Sequence, residues 1–132
     1  MTPTQRTIAA LKDQGIWHVA IVERYIKSGN FGHRSDMFGI IDLVALSPYG
    51  DDDCGCIVGI QVFGQTGWAA HVNTIMVEKK DNTHAWLRAG GKLQLWGWRK
   101  LKVKRGMKRM KWTPRIGDIT LHDSQIILTE RN

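Results

Sequence analysis

Two apolar runs, each interrupted by one polar side chain, most constrain what this chain can fold into. Residues 38–46 read FGIIDLVAL and residues 57–64 read IVGIQVFG. Apolar runs of this length are typical of strands covered on both faces of a sheet, so an α/β fold is expected. Asp42 and Gln61 would then be buried. A buried carboxylate without a partner is costly, so Asp42 is expected to have a partner, a metal ion or a shifted pKa.

The remaining segments predict further strands and two helical regions around these runs. The predicted order is a helix over 3–14, a strand over 16–26, a turn over 28–36, strands over 37–46 and 56–64, a helical region over 68–89 broken near 81–82, a strand over 92–104, and short closing strands over 115–121 and 124–130. Alternation in the 92–104 strand places Leu93 and Leu95 on one face and Trp96 and Trp98 on the other. These two indoles are read as core residues, with base stacking as the alternative.

Length and composition predict one domain over residues 1–132. The chain is 42% apolar and has 132 residues, which suits a single hydrophobic core. It contains no stretch of eighteen apolar residues, so no membrane partner is expected. The N-terminal residues lack the pattern of a signal peptide, which favours the cytoplasm of a bacterial or phage-infected cell.

The positive charge is concentrated in one segment. The net charge is +7, and residues 99–111 hold eight Lys or Arg and no acid, while the rest of the chain holds 11 basic and 12 acidic residues. A local basic stripe favours a polyanionic partner, above all nucleic acid. A solvated basic hairpin is the alternative.

Other polar clusters predict no site. Cys54 and Cys56 form a C-x-C pair without a second ligand pair at zinc-finger spacing, so two reduced thiols are expected. The acidic triplet 51–53 is read as a solvated loop tip. Asp36 precedes the 37–46 strand by one residue. A strand from Asp36 to Asp42 would span roughly 20 Å, so Asp36 is expected to cap the turn and not to share a metal with Asp42.

The order of elements and three polar residues suggest a family. Asp42 lies in GIIDLVA, Glu23 lies in IVERY and Gln61 lies in GIQVF. The helix, three strands, helix and strand over about residues 4–100 resemble the restriction-endonuclease-like PD-(D/E)XK nuclease superfamily, closest to its small Holliday-junction-resolvase-like and phage-type members. The resemblance implies an αβββαβ core with a mixed central sheet and C-terminal β extras.

The same resemblance implies a metal site. It makes Asp42 and Glu23 the carboxylate ligands of Mg²⁺ or Mn²⁺, and it places Gln61 where the family has its second acid. The backbone carbonyl of Val62 would be a further ligand. Such hard oxygen ligands suit Mg²⁺, which can activate water and neutralise charge on a phosphate.

One position departs from the family. Phe63 stands where the family has a lysine, and a phenyl ring can neither orient water nor stabilise charge at a phosphate. A substitute is expected from the following helix, with His71 as the first candidate and Lys79 or Lys80 next. His71 could act as a general base or as a charged donor.

The resulting hypothesis is a Mg²⁺-dependent DNA endonuclease encoded by a phage or mobile element. Its partner would be duplex or branched DNA, and by analogy it would act as a homodimer because two strands must be cut. Arg34 is expected either to contact phosphate or to pair with Glu23. The expected DNA-binding residues are Arg34, Arg99, Lys100, Lys102, Lys104, Arg105, Lys108 and Arg109.

Two other interpretations remain open at this point. In the first, the chain is a non-catalytic DNA-binding module on the same fold, with Phe63 marking a degenerate site. In the second and more distant one, it is a structural α/β domain whose basic segment binds RNA.

Overall fold

The computed structural model of the chain describes residues 1–50 and 54–131. The acidic triplet 51–53, predicted as a solvated loop tip, lies outside the described residues. The helices are α1 (Pro3–Asp13), α2 (Trp68–Asn73) and α3 (Lys80–Arg88), with a π-helical turn over Thr74–Glu78. The strands are β1 (His18–Ile21), β2 (Arg24–Ser28), β3 (Phe31–Ser35), β4 (Leu43–Ser47), β5 (Cys56–Phe63), β6 (Lys92–Lys102), β7 (Met110–His122) and β8 (Gln125–Glu130).

A six-stranded mixed sheet forms the centre of the fold. Its order is β1-β4-β5-β6-β7-β8, with β5 and β6 parallel and the other neighbours antiparallel. The strands β2 and β3 form a separate two-stranded sheet. The prediction of a mixed α/β protein with a mixed central sheet is confirmed.

Helix α1 begins and ends where its local sequence predicts. Thr2 is the N-cap of a capping box, because its hydroxyl accepts from the Gln5 N–H while the Gln5 side chain accepts from the Thr2 N–H. Pro3 suits the first helical position because its missing N–H would have no helical partner there. Gly15 follows the helix with φ of 85°, a left-handed conformation that glycine adopts without steric cost.

Two hydrophobic clusters cover the two faces of the sheet. On the α1 face, Leu11 packs with Leu43, Ile60, Trp96 and Trp98. Trp96 and Trp98 are buried, and the Trp98 indole N–H donates to the Thr7 hydroxyl over 2.8 Å. They are therefore core residues, as predicted, and are not exposed for base stacking.

The second face is covered by α2, the π-helical turn and α3. Ile75 of the turn packs with Ile41, Phe63 and Leu95 of the sheet face. The helical region breaks at Lys79, two residues before the break that the sequence predicts near 81–82. None of the described helices is long and apolar enough to cross a membrane.

The chain between Ile16 and Leu46 differs most from the prediction. The expected 16–26 strand is divided into β1 and β2, and the expected turn over 28–36 is mostly strand β3. The expected 37–46 strand begins only at Leu43, because the chain turns tightly between the bridged residues Met37 and Ile41. Phe38 and Gly39 make this turn with φ of 57° and 72°.

Candidate metal centre

Three carboxylates from separate segments meet at one end of the central strands, where β4 begins and β5 ends. One oxygen each from Glu23, Asp36 and Asp42 lies within 4.8 Å of the other two. Glu23 precedes β2, Asp36 follows β3, and Arg24 pairs with Ser35 between them. The base of the β2–β3 hairpin therefore brings the first two acids together, and the start of β4 supplies the third.

The position of Asp36 corrects the sequence prediction. A continuous strand would have carried Asp36 away from Asp42, but the tight turn over residues 37–41 reverses the chain between them. The Met37 N–H donates to the Ile41 carbonyl over 2.8 Å and closes this turn. Asp36 is therefore part of the acid cluster and does not lie at the far end of a strand.

Asp42 is held firmly at the start of β4. Its backbone N–H donates to the Ile60 carbonyl over 2.9 Å, and its carboxylate accepts from the Val62 N–H over 2.8 Å. The N–H groups of Val22 and Glu23 donate to its backbone carbonyl. These bonds tie Asp42 to β5 on one side and to the entry of the hairpin on the other.

The protonation of Asp42 reflects this crowded position. The pKa of Asp42 is raised from 3.8 to about 8, chiefly by burial and next by a hydrogen bond with the Asp36 carboxyl, which outweighs the lowering effect of the Val62 N–H. The charges of Asp36 and Glu23 add to the effect. A proton between two such carboxyls occupies the place that a cation would take, so this donor set fits a hard divalent ion.

The acids face an open cleft of about 680 Å³ that also contains positive groups. Arg24 and Arg34 line the cleft, as do residues Thr2, Pro3 and Thr4 at the N-terminal end of α1. The macrodipole of α1 gives this end of the helix partial positive charge. The cleft therefore combines a cation-binding cluster with groups that attract an anion.

Gln61 and His71 interact with each other at the side of this cleft. Gln61 is 3% exposed, and its amide oxygen lies 3.2 Å from Nδ1 of His71. The His71 ring stacks on Phe63 with ring centroids 4.1 Å apart. Because the amide oxygen only accepts, a hydrogen bond here requires the proton on Nδ1, and Nε2 of the neutral ring is then an acceptor. The geometry gives Gln61 a positioning contact with His71.

The surroundings favour the neutral form of His71. Burial lowers the pKa of His71, and the nearby charge of Asp36 opposes this shift. His71 also lines the cleft that contains the acid cluster, as do Val62 and Phe63. A neutral imidazole beside the cleft can accept a proton near pH 7. Of the two roles expected for His71, this favours the general base over the charged donor.

The cations near the cleft are Arg24 and Arg34 of the hairpin, of which only Arg34 was predicted. Among the described residues that line the cleft, neither Lys79 nor Lys80 is present, and the Lys79 side chain lies against Gly39. Arg34 pairs with Glu23 over 3.3 Å while its side chain stays 78% exposed. Arg24, which the sequence analysis missed, carries no motif signal and is identified only by its place at the hairpin base.

The predicted DNA-binding segment, residues 99–111, protrudes from the same end of the sheet, where β5 stops and β6 continues. Phe63, near the cleft, pairs with Gly97 of the parallel strand β6, which continues to Lys102 after β5 has ended. Five further residues of strand extend about 16 Å. We call residues 99–113 the basic arm; in it the end of β6 pairs with the start of β7.

The basic arm is exposed and is attached to α1 at its base. The predicted contact residues Arg99, Lys100, Lys102, Lys104, Arg105, Lys108 and Arg109 are all exposed in it. Trp112 stacks beneath the Arg6 guanidinium at 3.9 Å and lies 5.2 Å from the Lys100 ammonium. This packing fixes the base of the arm, while the cations beyond it face solvent.

No family model, curated protein or solved structure matches this chain. The resemblance to the PD-(D/E)XK superfamily therefore stays a prediction, and the site is interpreted from its own geometry.

The acid cluster makes the stability of the metal-free protein depend on pH through Asp42. Folding raises the pKa of Asp42 from 3.8 to about 8. The contribution of the protonated carboxyl to the free energy of unfolding is therefore complete below pH 3.8 and is lost as the pH rises through 8. We expect Asp42→Asn to gain stability relative to the wild type over this interval, by at most about 1.4 kcal/mol per pH unit. Urea unfolding in EDTA at pH 5 to 9 measures the difference. A difference that does not change with pH would mean that Asp42 ionises near its ordinary pKa.

Proposed function

We propose that this protein is a metal-dependent DNA endonuclease of the restriction-endonuclease-like type. The observation that carries the proposal is the convergence of Glu23, Asp36 and Asp42 in one cleft beside a neutral histidine. Clustered carboxylates of this kind can hold the divalent ion that phosphodiester hydrolysis uses. The neighbouring positive groups can hold the phosphate itself.

The order of the elements supports the same proposal. Without the β2–β3 hairpin, the chain runs from a helix through three strands and a helical region to a parallel strand. This is the αβββαβ order that the resemblance implies. Gln61 lies in the third of these strands, and Asp42 lies one residue before the second, next to its predicted position inside that strand; both positions support the proposal.

The ligands of Mg²⁺ or Mn²⁺ would be Glu23, Asp36, Asp42 and the Val62 carbonyl. Gln61 was predicted as a ligand, but its amide oxygen is engaged by His71, and we assign it to positioning that ring. When bound, the ion supplies charge neutralisation for the phosphate and activation of water. Asp36 takes the place among the side-chain ligands that was predicted for the neutral amide oxygen of Gln61.

The residues of the chain have separate tasks in this proposal. His71 accepts a proton from the attacking water at Nε2 while Gln61 holds its other nitrogen. Arg24 and Arg34 bind the phosphate from the hairpin side of the cleft. They carry the positive charge that the family places on the lysine at the position of Phe63.

The basic arm would bind the DNA flanking the cut. Its cations lie beyond the strand ends at which the cleft opens. A duplex in contact with the arm would therefore lie near the acid cluster. A homodimer, by analogy, would place a second cleft on the other strand. Duplex and branched DNA are the two substrates to compare.

One observation favours a non-catalytic DNA-binding module as the second candidate. Phe63 occupies the position of the family's lysine and stacks closely on His71. Its phenyl ring would thus put apolar surface where the lysine would contact the phosphate. A chain that had lost cleavage could keep the basic arm and still bind DNA.

Wild-type protein separates the two candidates directly. Supercoiled, linear, branched and single-stranded DNA are incubated with Mg²⁺, with Mn²⁺ and with EDTA. Cleavage that depends on the ion supports the endonuclease. Binding to these DNAs without cleavage of any of them supports the module.

The basic arm should make DNA affinity strongly dependent on salt. Each phosphate contact releases counterions and contributes about −0.9 to the slope of log affinity against log salt for duplex DNA. We expect the triple change of Lys100, Lys102 and Lys104 to alanine to reduce the magnitude of that slope by up to about 3. Fluorescence anisotropy at several salt concentrations measures the slope.

A control with the same loss of charge places the effect on the arm. Lys12, Lys80 and Arg88 are exposed on the helices, away from the arm. Their triple change to alanine should leave the slope nearly unchanged. Equal slopes for both triple variants and the wild type would mean that the arm points away from DNA.

A further inference from the structure

Beyond Arg24 and Arg34 at its base, the β2–β3 hairpin is an exposed segment that has no role in the proposed function. Every residue of β2 and β3 is exposed except Ser35, which is half-buried. Within residues 1–50 and 54–131, these two strands pair only with each other. A lone two-stranded hairpin has little stability in water, so apolar side chains on it are expected to find a partner elsewhere.

The hairpin has a basic face that borders the cleft. Tyr25, Lys27, Gly32 and Arg34 share one face, because Tyr25 pairs with Arg34 and Lys27 pairs with Gly32. The outer end of the Tyr25 ring lies over Gly32, where a Cβ atom would overlap its hydroxyl. Tyr25 and Arg34 line the cleft that holds the acid cluster.

The tip of the hairpin presents an aromatic ring to solvent. Ser28 pairs with Phe31 across a two-residue loop, in which Gly29 has φ of 62°. Phe31 is 82% exposed, the highest value among the exposed large hydrophobic residues described. Five paired residues place this ring about 16 Å from the acids at the hairpin base.

The charge of the hairpin selects one kind of partner. Residues 24–35 contain three Arg or Lys and no Asp or Glu. Such a segment attracts a polyanion and repels another copy of itself. Exposed aromatic rings beside cations are the combination that binds single-stranded nucleic acid, in which bases stack on rings and cations contact phosphates.

We propose that the β2–β3 hairpin is a second DNA-binding arm, with Lys27 contacting phosphate and Phe31 stacking on an unpaired base. The inference rests on the proposed function, since it takes the strand bound at the cleft to be DNA. Strand alternation puts Phe31 on the opposite face from Lys27, so a strand that contacts both would cross the tip of the hairpin, about 16 Å from the acids at its base. The hairpin and the basic arm would then contact DNA at two separate places.

The test uses an oligonucleotide duplex with a single-stranded overhang that contains 2-aminopurine. In EDTA, which prevents cleavage, we expect Phe31→Ala to weaken binding about 10- to 100-fold and to abolish the fluorescence change of the stacked base. Phe31→Tyr keeps a ring and should restore both. Lys27→Ala should reduce the magnitude of the salt slope by about 0.7 to 0.9.

Matched controls lie at the opposite end of α1 from the cleft. Trp17 is an aromatic residue that is 66% exposed, and Lys12 is an exposed cation of the last turn of α1. Their alanine variants should bind like the wild type. Since all of the substituted residues are exposed, loss of folding is not expected, and far-ultraviolet circular dichroism checks this.

The outcomes separate this inference from the endonuclease proposal. If the wild type cuts DNA and the Phe31 and Lys27 variants bind like it, the second arm is overturned while the endonuclease stands. If the wild type never cuts but these variants bind more weakly, the arm stands and the endonuclease fails. A wild-type dimer that dissociates in Phe31→Ala without a change in DNA binding would assign the hairpin to a second copy of the chain and overturn the proposal.

Discussion

Replacing Asp42 with asparagine is expected to reduce ion-dependent DNA cleavage by at least about 10³-fold. The carboxylate is the most buried of the three clustered acids, and a bound ion would provide several kcal/mol of charge stabilisation at the phosphate. Folding should be preserved, because the asparagine oxygen can still accept from the Val62 N–H and its amide can donate to Asp36. Cleavage rates with Mg²⁺ or Mn²⁺ at saturating DNA measure the loss.

Two further substitutions make this result specific to the cluster. Asp36→Asn removes a second carboxylate of the same cluster and should also lower cleavage strongly. Asp123→Asn removes an exposed acid in a turn between β7 and β8, far from the cleft in sequence, and should have little effect. Cleavage by Asp42→Asn at the wild-type rate would exclude Asp42 as a metal ligand. A normal rate for Asp36→Asn alone would return Asp36 to a capping role.

Replacing His71 with alanine is expected to reduce cleavage by about 10²- to 10⁴-fold and to change DNA affinity very little. The range is the usual contribution of a general base. DNA binding should persist because the cations that contact phosphate lie on the hairpin and on the basic arm. Single-turnover cleavage gives the rate, and anisotropy in EDTA gives the affinity.

The pH profile distinguishes a base from a packing residue. His71 also stacks on Phe63, so alanine removes a ring contact together with the nitrogen. His71→Phe keeps a stacked ring without a proton acceptor and should be as inactive as alanine. In both variants the rate should lose the step that titrates below the ordinary histidine pKa of 6.5, since burial lowers the pKa of His71. Full activity in His71→Phe would exclude His71 as the base and transfer the activation of water to a second metal ion.

Elements with strong local signals were predicted closely. The capping box and Gly15 define α1, and the uninterrupted apolar run defines β5 within one residue. The alternation in β6 also placed Leu95 on one face and Trp96 on the other, as the two clusters show. In each case the information lies within a few neighbouring residues, because capping, glycine stops and side-chain alternation are short-range effects.

The loop before β4 could not be predicted in this way. Ile40 and Ile41 are fully buried, so their hydrophobicity resembles that of a strand, although they belong to a turn. Phe38 adopts a left-handed conformation in that turn, which a residue with a Cβ atom rarely does. The Asn82 amide, which donates to the Phe38 carbonyl over 2.8 Å, comes from 44 residues further along the chain.

From the sequence alone, Asp42 is expected to be buried between apolar neighbours, β5 to carry Gln61 into the core, and positive charge to collect in residues 99–111, at the end of β6 and beyond it. Which groups meet depends on the tertiary structure: Asp36 joins Asp42, and Gln61 holds His71. Burial and charge follow from the composition of a local segment. The meeting of side chains depends on strand pairing and turn geometry, which bring distant residues together and leave no periodic pattern in the chain.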